Sequence, residues 1–130
     1  LYLQKEVLDK AWDHYHRVLE MVPGHCDVLN NLGVLMLKKD APQQAIDYFT
    51  QALVQDEAHH QARLNLAATF MQYNRYEQAL SHYRELERLR FQSTEMHYNM
   101  GVALMAQGFL ARALHYYKKV LALIPHHVPT

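Results

Sequence analysis

The chain has 130 residues, the length of one domain, with 50% hydrophobic and 20% charged residues, a globular rather than a disordered composition. Lys plus Arg and Asp plus Glu both total 13, a balance that argues against a broad basic surface for nucleic acid or an anionic membrane. No apolar run approaches the roughly 18–20 residues that a membrane span needs, and the single cysteine, Cys26, rules out an intrachain disulfide.

In chain order, Leu1 to Val22 reads as helix, because Val7, Leu8, Ala11, Trp12, Tyr15, Val18, Leu19 and Val22 fall three and four apart. Pro23-Gly24 stops it. Two readings of its start remain open: Leu1 to Lys5 as the remnant of a separate helix, or one longer helix, since no Gly or Pro marks a turn near Glu6. Asp27 to Lys39 is the next helix, with Asp27 at its N-cap or in its first turn and Leu29, Leu32, Gly33, Leu35 and Met36 facing inward. Asp40-Ala41 turns the chain, and Pro42 opens a helix to Gln55 from the first turn, where its missing N–H costs nothing. Further pairs follow at about residues 60–73 with 76–89 and 94–107 with 110–123, and Pro125 and Pro129 end the pattern. Each of these helices is short enough to be marginal alone in water, so pairs must pack on pairs.

Residues 26–59 recur as 60–93 and again as 94–127, with a period of 34 and no insertion. Asn31-Leu32-Gly33 becomes Asn65-Leu66-Ala67 and Asn99-Met100-Gly101; Ala45 becomes Ala79 and Ala113; Phe49 becomes Tyr83 and Tyr117. Run backwards, the register places Ala11, Tyr15, Val18 and Pro23 with Ala113, Tyr117, Val120 and Pro125, so residues 1–25 are a trailing half repeat. A mid-helix glycine costs about 1 kcal/mol against alanine. Gly33 and Gly101 therefore predict a close helix crossing, with Phe49, Tyr83 and Tyr117 filling the gap to the next repeat.

This period, with its order of Leu, Gly/Ala, bulky, Ala, aromatic and Pro, resembles the tetratricopeptide repeat (TPR) family over essentially the whole chain. Leu29, Arg63 and His97 stand where that family has an aromatic; Asp40 and Asn74 replace its usual glycine, and Glu57 and Phe91 its proline. The resemblance implies an all-α fold, a right-handed α-solenoid of antiparallel helix pairs forming one domain, with the first helix of each pair lining a concave groove. It also implies a non-catalytic scaffold without cofactor that binds an extended or helical segment of another protein.

The groove positions are then Asn30, Asn31, Val34, Leu37 and Lys38; Gln61, Leu64, Asn65, Ala68, Met71 and Gln72; and Glu95, Tyr98, Asn99, Val102 and Met105. Asn31, Asn65 and Asn99 form a ladder whose amides can bond a peptide backbone without reading its side chains. The same asparagines can instead bond a neighbouring helix. Lys38 is the lone cation nearby, which argues against a clamp for a C-terminal carboxylate.

Among the ten histidines, His25, His59-His60 and His126-His127 fall in the turns between repeats and read as solvated rather than as metal ligands. Cys26 opens a helix, which would lower its pKa, but nothing marks it as a nucleophile. The array starts within a repeat and stops after a second helix, so Leu114, Tyr117 and Leu121 are expected to expose an uncapped apolar end that can self-associate. With Leu1 rather than Met first, the chain reads as an excised fragment, and its compartment is undetermined. The alternatives to a free-standing scaffold are a regulatory or substrate-presenting domain of a larger enzyme, of glycosyltransferase or methyltransferase type, and a structural self-assembly unit.

Overall fold

In a computed structural model, residues 2–123 are described, the side chains of Tyr2, Leu3 and Leu123 excepted. They form seven helices: α1 (Tyr2–Met21), α2 (Cys26–Lys38), α3 (Pro42–Gln55), α4 (His60–Gln72), α5 (Tyr76–Arg88), α6 (Thr94–Ala106) and α7 (Leu110–Leu123). α1 is one unbroken helix of 20 residues, and no turn separates residues 2–5 from the rest of it. Pro125, Pro129, His126 and His127 lie outside the described residues.

The chain divides into two compact units, up to Leu66 and from Ala67 onward. In the first, α1 packs on α2 and α2 on α3. Val28, Leu29, Leu32, Leu35 and Met36 of α2 are buried, as are Ala45, Phe49, Ala52 and Leu53 of α3. Gly33 is what allows this: a Cβ there would clash with the edge atoms Cε1, Cδ1 and Cζ of the Phe49 ring, which is fully enclosed. Phe49 thus fills its own pair's crossing rather than only a gap to the next repeat. In the second unit, α5 packs on α6 and α6 on α7, with Leu80, Tyr83, Leu86, Met96, Met100, Leu104 and Ala113 enclosed. A Cβ on Gly101 would sit 2.6 Å from Cε1 of Tyr117, the same lock two repeats later.

The helix ends repeat as strictly as the core. His25, His59 and Ser93 stand at matching positions before α2, α4 and α6, and each side chain accepts a bond from the backbone N–H three residues on. For His25 and His59 the acceptor is ring Nδ1, at 3.3 Å and 3.0 Å. Asp27 lies in the first turn of α2 and does not cap it. At the other ends, Asp40, Asn74 and Gly108 take left-handed backbone angles (φ 59°, 61° and 84°). The residue after each returns its N–H to the carbonyl five residues back, closing the helix. Asp and Asn tolerate this conformation better than other non-glycine residues, which is how the chain dispenses with glycine at two of the three turns.

Candidate peptide-binding surface

On α2, α4 and α6 the candidate residues recur three and four apart, and so form one stripe along each helix. On α2, Asn31 and Lys38 are exposed and Val34 and Leu37 half-buried. On α4, Gln61 and Gln72 are exposed and Leu64, Asn65, Ala68 and Met71 half-buried. On α6, Glu95 is exposed, Asn99 and Val102 are half-buried, and Tyr98 and Met105 are 53% and 45% exposed. Each first helix therefore offers a part-open stripe of mixed apolar and polar residues, and on α6 two large apolar side chains of the stripe are exposed. Asn30 is the exception: it is buried, at 7% exposure.

The three amides are not equivalent. Asn65 donates from Nδ2 to Oδ1 of Asn30 at 2.9 Å, and its own Oδ1 accepts from Gln61 Nε2 at 3.2 Å. Asn30 precedes Asn65's counterpart, Asn31, by one residue. The same offset from Asn99 lands on Leu64, which has no side-chain acceptor. Asn99 instead donates from Nδ2 to the hydroxyl of Tyr83 at 3.0 Å. Tyr83 is enclosed, and burial pushes its hydroxyl up to about 12, with the Asn99 bond pulling the other way. Asn31 is exposed and makes no side-chain hydrogen bond among the described residues. Two rungs thus tie the first helices to their surroundings, and Asn31 points its amide to solvent.

His25 and His59 are less solvated than the sequence suggests: both are half-buried. His59 uses both ring nitrogens: Nδ1 caps α4, and Nε2 donates to Asp27 Oδ1 at 2.8 Å, linking the starts of α4 and α2. Among the described residues no three His, Cys, Asp or Glu side chains gather as a metal site. Cys26 also corrects its sequence reading. Burial pushes its thiol up, the Asp56 and Asp27 carboxylates add to that, and Sγ donates to the Gly24 carbonyl at 3.6 Å. The thiolate is disfavoured although the residue opens a helix.

Sequence reasoning passed over the Asn30 acceptor, the Tyr83 hydroxyl and the imidazole caps. The caps had a signal, since His25, His59 and Ser93 share one register and serine is a strong N-cap. Asn30 had none, because no repeat partner carries Asn at its position.

Two tetratricopeptide repeat models match the chain, one over residues 36–100 and one over 94–127. No curated protein sequence matches it significantly. Solved structures with the same fold include MamA (41-end) from Desulfovibrio magneticus RS-1, at TM-score 0.83 and 17% identity, covering 95% of this chain and 70% of that one. Pseudomonas aeruginosa pilF gives TM-score 0.81 and 23% identity, over 95% of this chain and 56% of that one. The second TPR of Spaghetti (RPAP3), bound to the HSP90 peptide SRMEEVD, gives 0.71 and 21%, over 75% and 91%. No helix among the described residues is long and apolar enough to cross a membrane. With its seven helices, its repeated caps and turns and these matches, the chain belongs to the tetratricopeptide repeat family, with an all-α TPR fold.

Proposed function

We propose that the chain is a non-catalytic protein-interaction module that holds an extended or helical peptide segment on the part-open stripes of its first helices. The observation that carries this reading is the exposure of Tyr98 and Met105 on α6, a helix whose opposite side is enclosed at Met96, Met100 and Leu104. Large apolar side chains left open beside amides suit a peptide whose backbone must be bonded while its side chains are desolvated. Methionine adds an adaptable contact. A related repeat domain in complex with a peptide supports the same role. Because Asn65 and Asn99 have internal partners, recognition rests on Asn31 and the apolar residues of the stripes more than on three equal rungs. Lys38 alone supplies positive charge among the stripe residues, so an apolar or mixed segment fits better than a C-terminal carboxylate.

The test is photocrosslinking. Tyr98→p-benzoylphenylalanine is compared with the same substitution at Thr50, an exposed residue of α3. Peptides crosslinked in source lysate from position 98 and absent from position 50 support the reading. Equal labelling from both positions, or none from 98, would sink it.

A second reading, self-association, is favoured by the exposure of Leu110, Leu114 and Leu121 on α7, at 60%, 54% and 53%. A mass in sedimentation that rises with concentration would support it, and a monomer throughout would exclude it.

A further inference from the structure

A pocket of about 530 Å³ opens between α5 and α7, on a floor provided by α6. None of its lining residues belongs to the first-helix stripes. Its walls separate by chemistry. Leu80, Met100 and Leu104, 3%, 0% and 1% exposed, form a nearly enclosed apolar floor with the exposed Ala111 beside it, while Arg84, Arg112, His115 and Tyr116 supply the polar part of the lining. Among the described residues no carboxylate lines it.

The two arginines are available. Both are exposed, and neither forms an ion pair among the described residues. Arg112 Cζ lies 5.5 Å from the centre of the Phe109 ring, a cation–π contact that does not occupy its N–H groups with a hydrogen-bond acceptor. The obvious internal acceptor is already committed. Glu87, one turn along α5 from Arg84, receives the Tyr116 hydroxyl at 2.9 Å and Lys119 Nζ at 3.5 Å. That same bond fixes the Tyr116 ring as a wall of the pocket, and Arg84 and Arg112 are both near enough to act electrostatically on its hydroxyl.

We propose that this pocket is a second docking site, which takes apolar side chains of a partner peptide while Arg84 and Arg112 bond carboxylates flanking them. Charge complementarity decides the occupant. A purely apolar segment would leave two guanidiniums unanswered at the rim, and a basic one would be repelled by them. An acidic-flanked segment satisfies both the floor and the rim, and the paired N–H geometry of arginine suits carboxylates. The site goes beyond the first-helix reading and stands or falls separately from it.

The test uses acetylated, amidated hexapeptides carrying two apolar residues between pairs of Glu or Asp, beside a matched series with Gln or Asn. Binding to the full chain is followed by fluorescence anisotropy, and its location by methyl NMR of Met100, Leu80 and Leu104 against Met71 and Met105. The expected result is binding by acidic peptides that shifts the first three signals, is about tenfold or more weaker for the Gln/Asn series, and falls similarly in Arg84→Gln/Arg112→Gln. Both arginines are exposed, so the double variant should keep its fold, which circular dichroism checks. Three results would overturn the proposal: no preference for the acidic series, unchanged affinity in the double variant, or shifts confined to Met71 and Met105.

Discussion

In the α2–α3 pair the ring beside the helix glycine, Phe49, is wholly enclosed, whereas in the α6–α7 pair the ring at the same register, Tyr117, is half-buried. The contrast extends along both second helices. Leu53 of α3 is 7% exposed, and its counterpart Leu121 of α7 is 53% exposed; Ile46 is half-buried, and its counterpart Leu114 is 54% exposed. The glycine-to-ring contact is made in both pairs, so the register decides which side chains meet within a pair. It does not decide how much water those side chains lose, and stability follows the latter.

Breaking both rings should show this most strongly. Phe49→Ala is expected to cost about 3–5 kcal/mol, the range for a large aromatic removed from an enclosed site. Tyr117→Ala should cost less, below about 2 kcal/mol, because part of the ring already faces solvent. Urea unfolding of the two variants beside the parent measures the difference. If Tyr117→Ala proves as costly as Phe49→Ala, the α7 face is covered in solution, and repeating the measurement at several protein concentrations would tell whether a second copy covers it.

The pairs also differ from the connections between them. Within pairs, the left-handed turn residue is Asp40, Asn74 or Gly108. Between α5 and α6 it is Arg90, at φ 64°, and Arg90 and Phe91 make the same two closing bonds, to Glu87 and Leu86. Arginine has no short polar group to offset the crowding of Cβ in that conformation. Arg90→Gly should therefore stabilise the chain by about 1 kcal/mol, and Asp40→Gly by less. The check is the shift in urea midpoint. A loss of stability in Arg90→Gly would mean that its side chain contributes more than its backbone strain costs.

Much of this was legible because the repeat is a backbone device. Small residues at 33, 67 and 101, and rings sixteen positions later, predict a helix pair whatever surrounds it, and six of the seven helices begin within a residue of where the pattern puts them. What escaped depends on side-chain reach. Asn65 bonds the residue before its repeat counterpart, so the contact lies off the period and cannot be found by aligning repeats. Whether a turn histidine is solvated or caps a helix depends on its ring torsion, which the spacing leaves free. Cys26 shows how local rules compete. A helix start lowers a thiol's pKa, but partial burial and two nearby carboxylates raise it, and neither the burial nor Asp56's proximity is visible thirty residues away in sequence.

The smallest expected effect separates the pairs by pH. Leu29 in α2 and His97 in α6 share a register and are equally enclosed, at 3% and 2% exposure. His97 stacks on Tyr116, and its Nδ1 is buried without a hydrogen-bond partner among the described residues. Burial lowers its pKa, nearby Lys119 lowers it further, and the Glu87 carboxylate opposes them. In the unfolded chain the ring takes a proton near pH 6.5, the ordinary histidine value, before the folded ring does. As pH falls below that value the unfolded state binds more protons, so His97 contributes fully above it and its contribution is lost down to the folded pKa. His97→Leu copies the α2 arrangement and removes that dependence. Urea midpoints from pH 7.5 to 5 should fall less steeply for the variant than for the parent, the difference cancelling the other nine histidines. Parallel curves would mean that the buried ring takes up its proton as readily as an exposed one, through a bond to Nδ1 that forms only in the charged state.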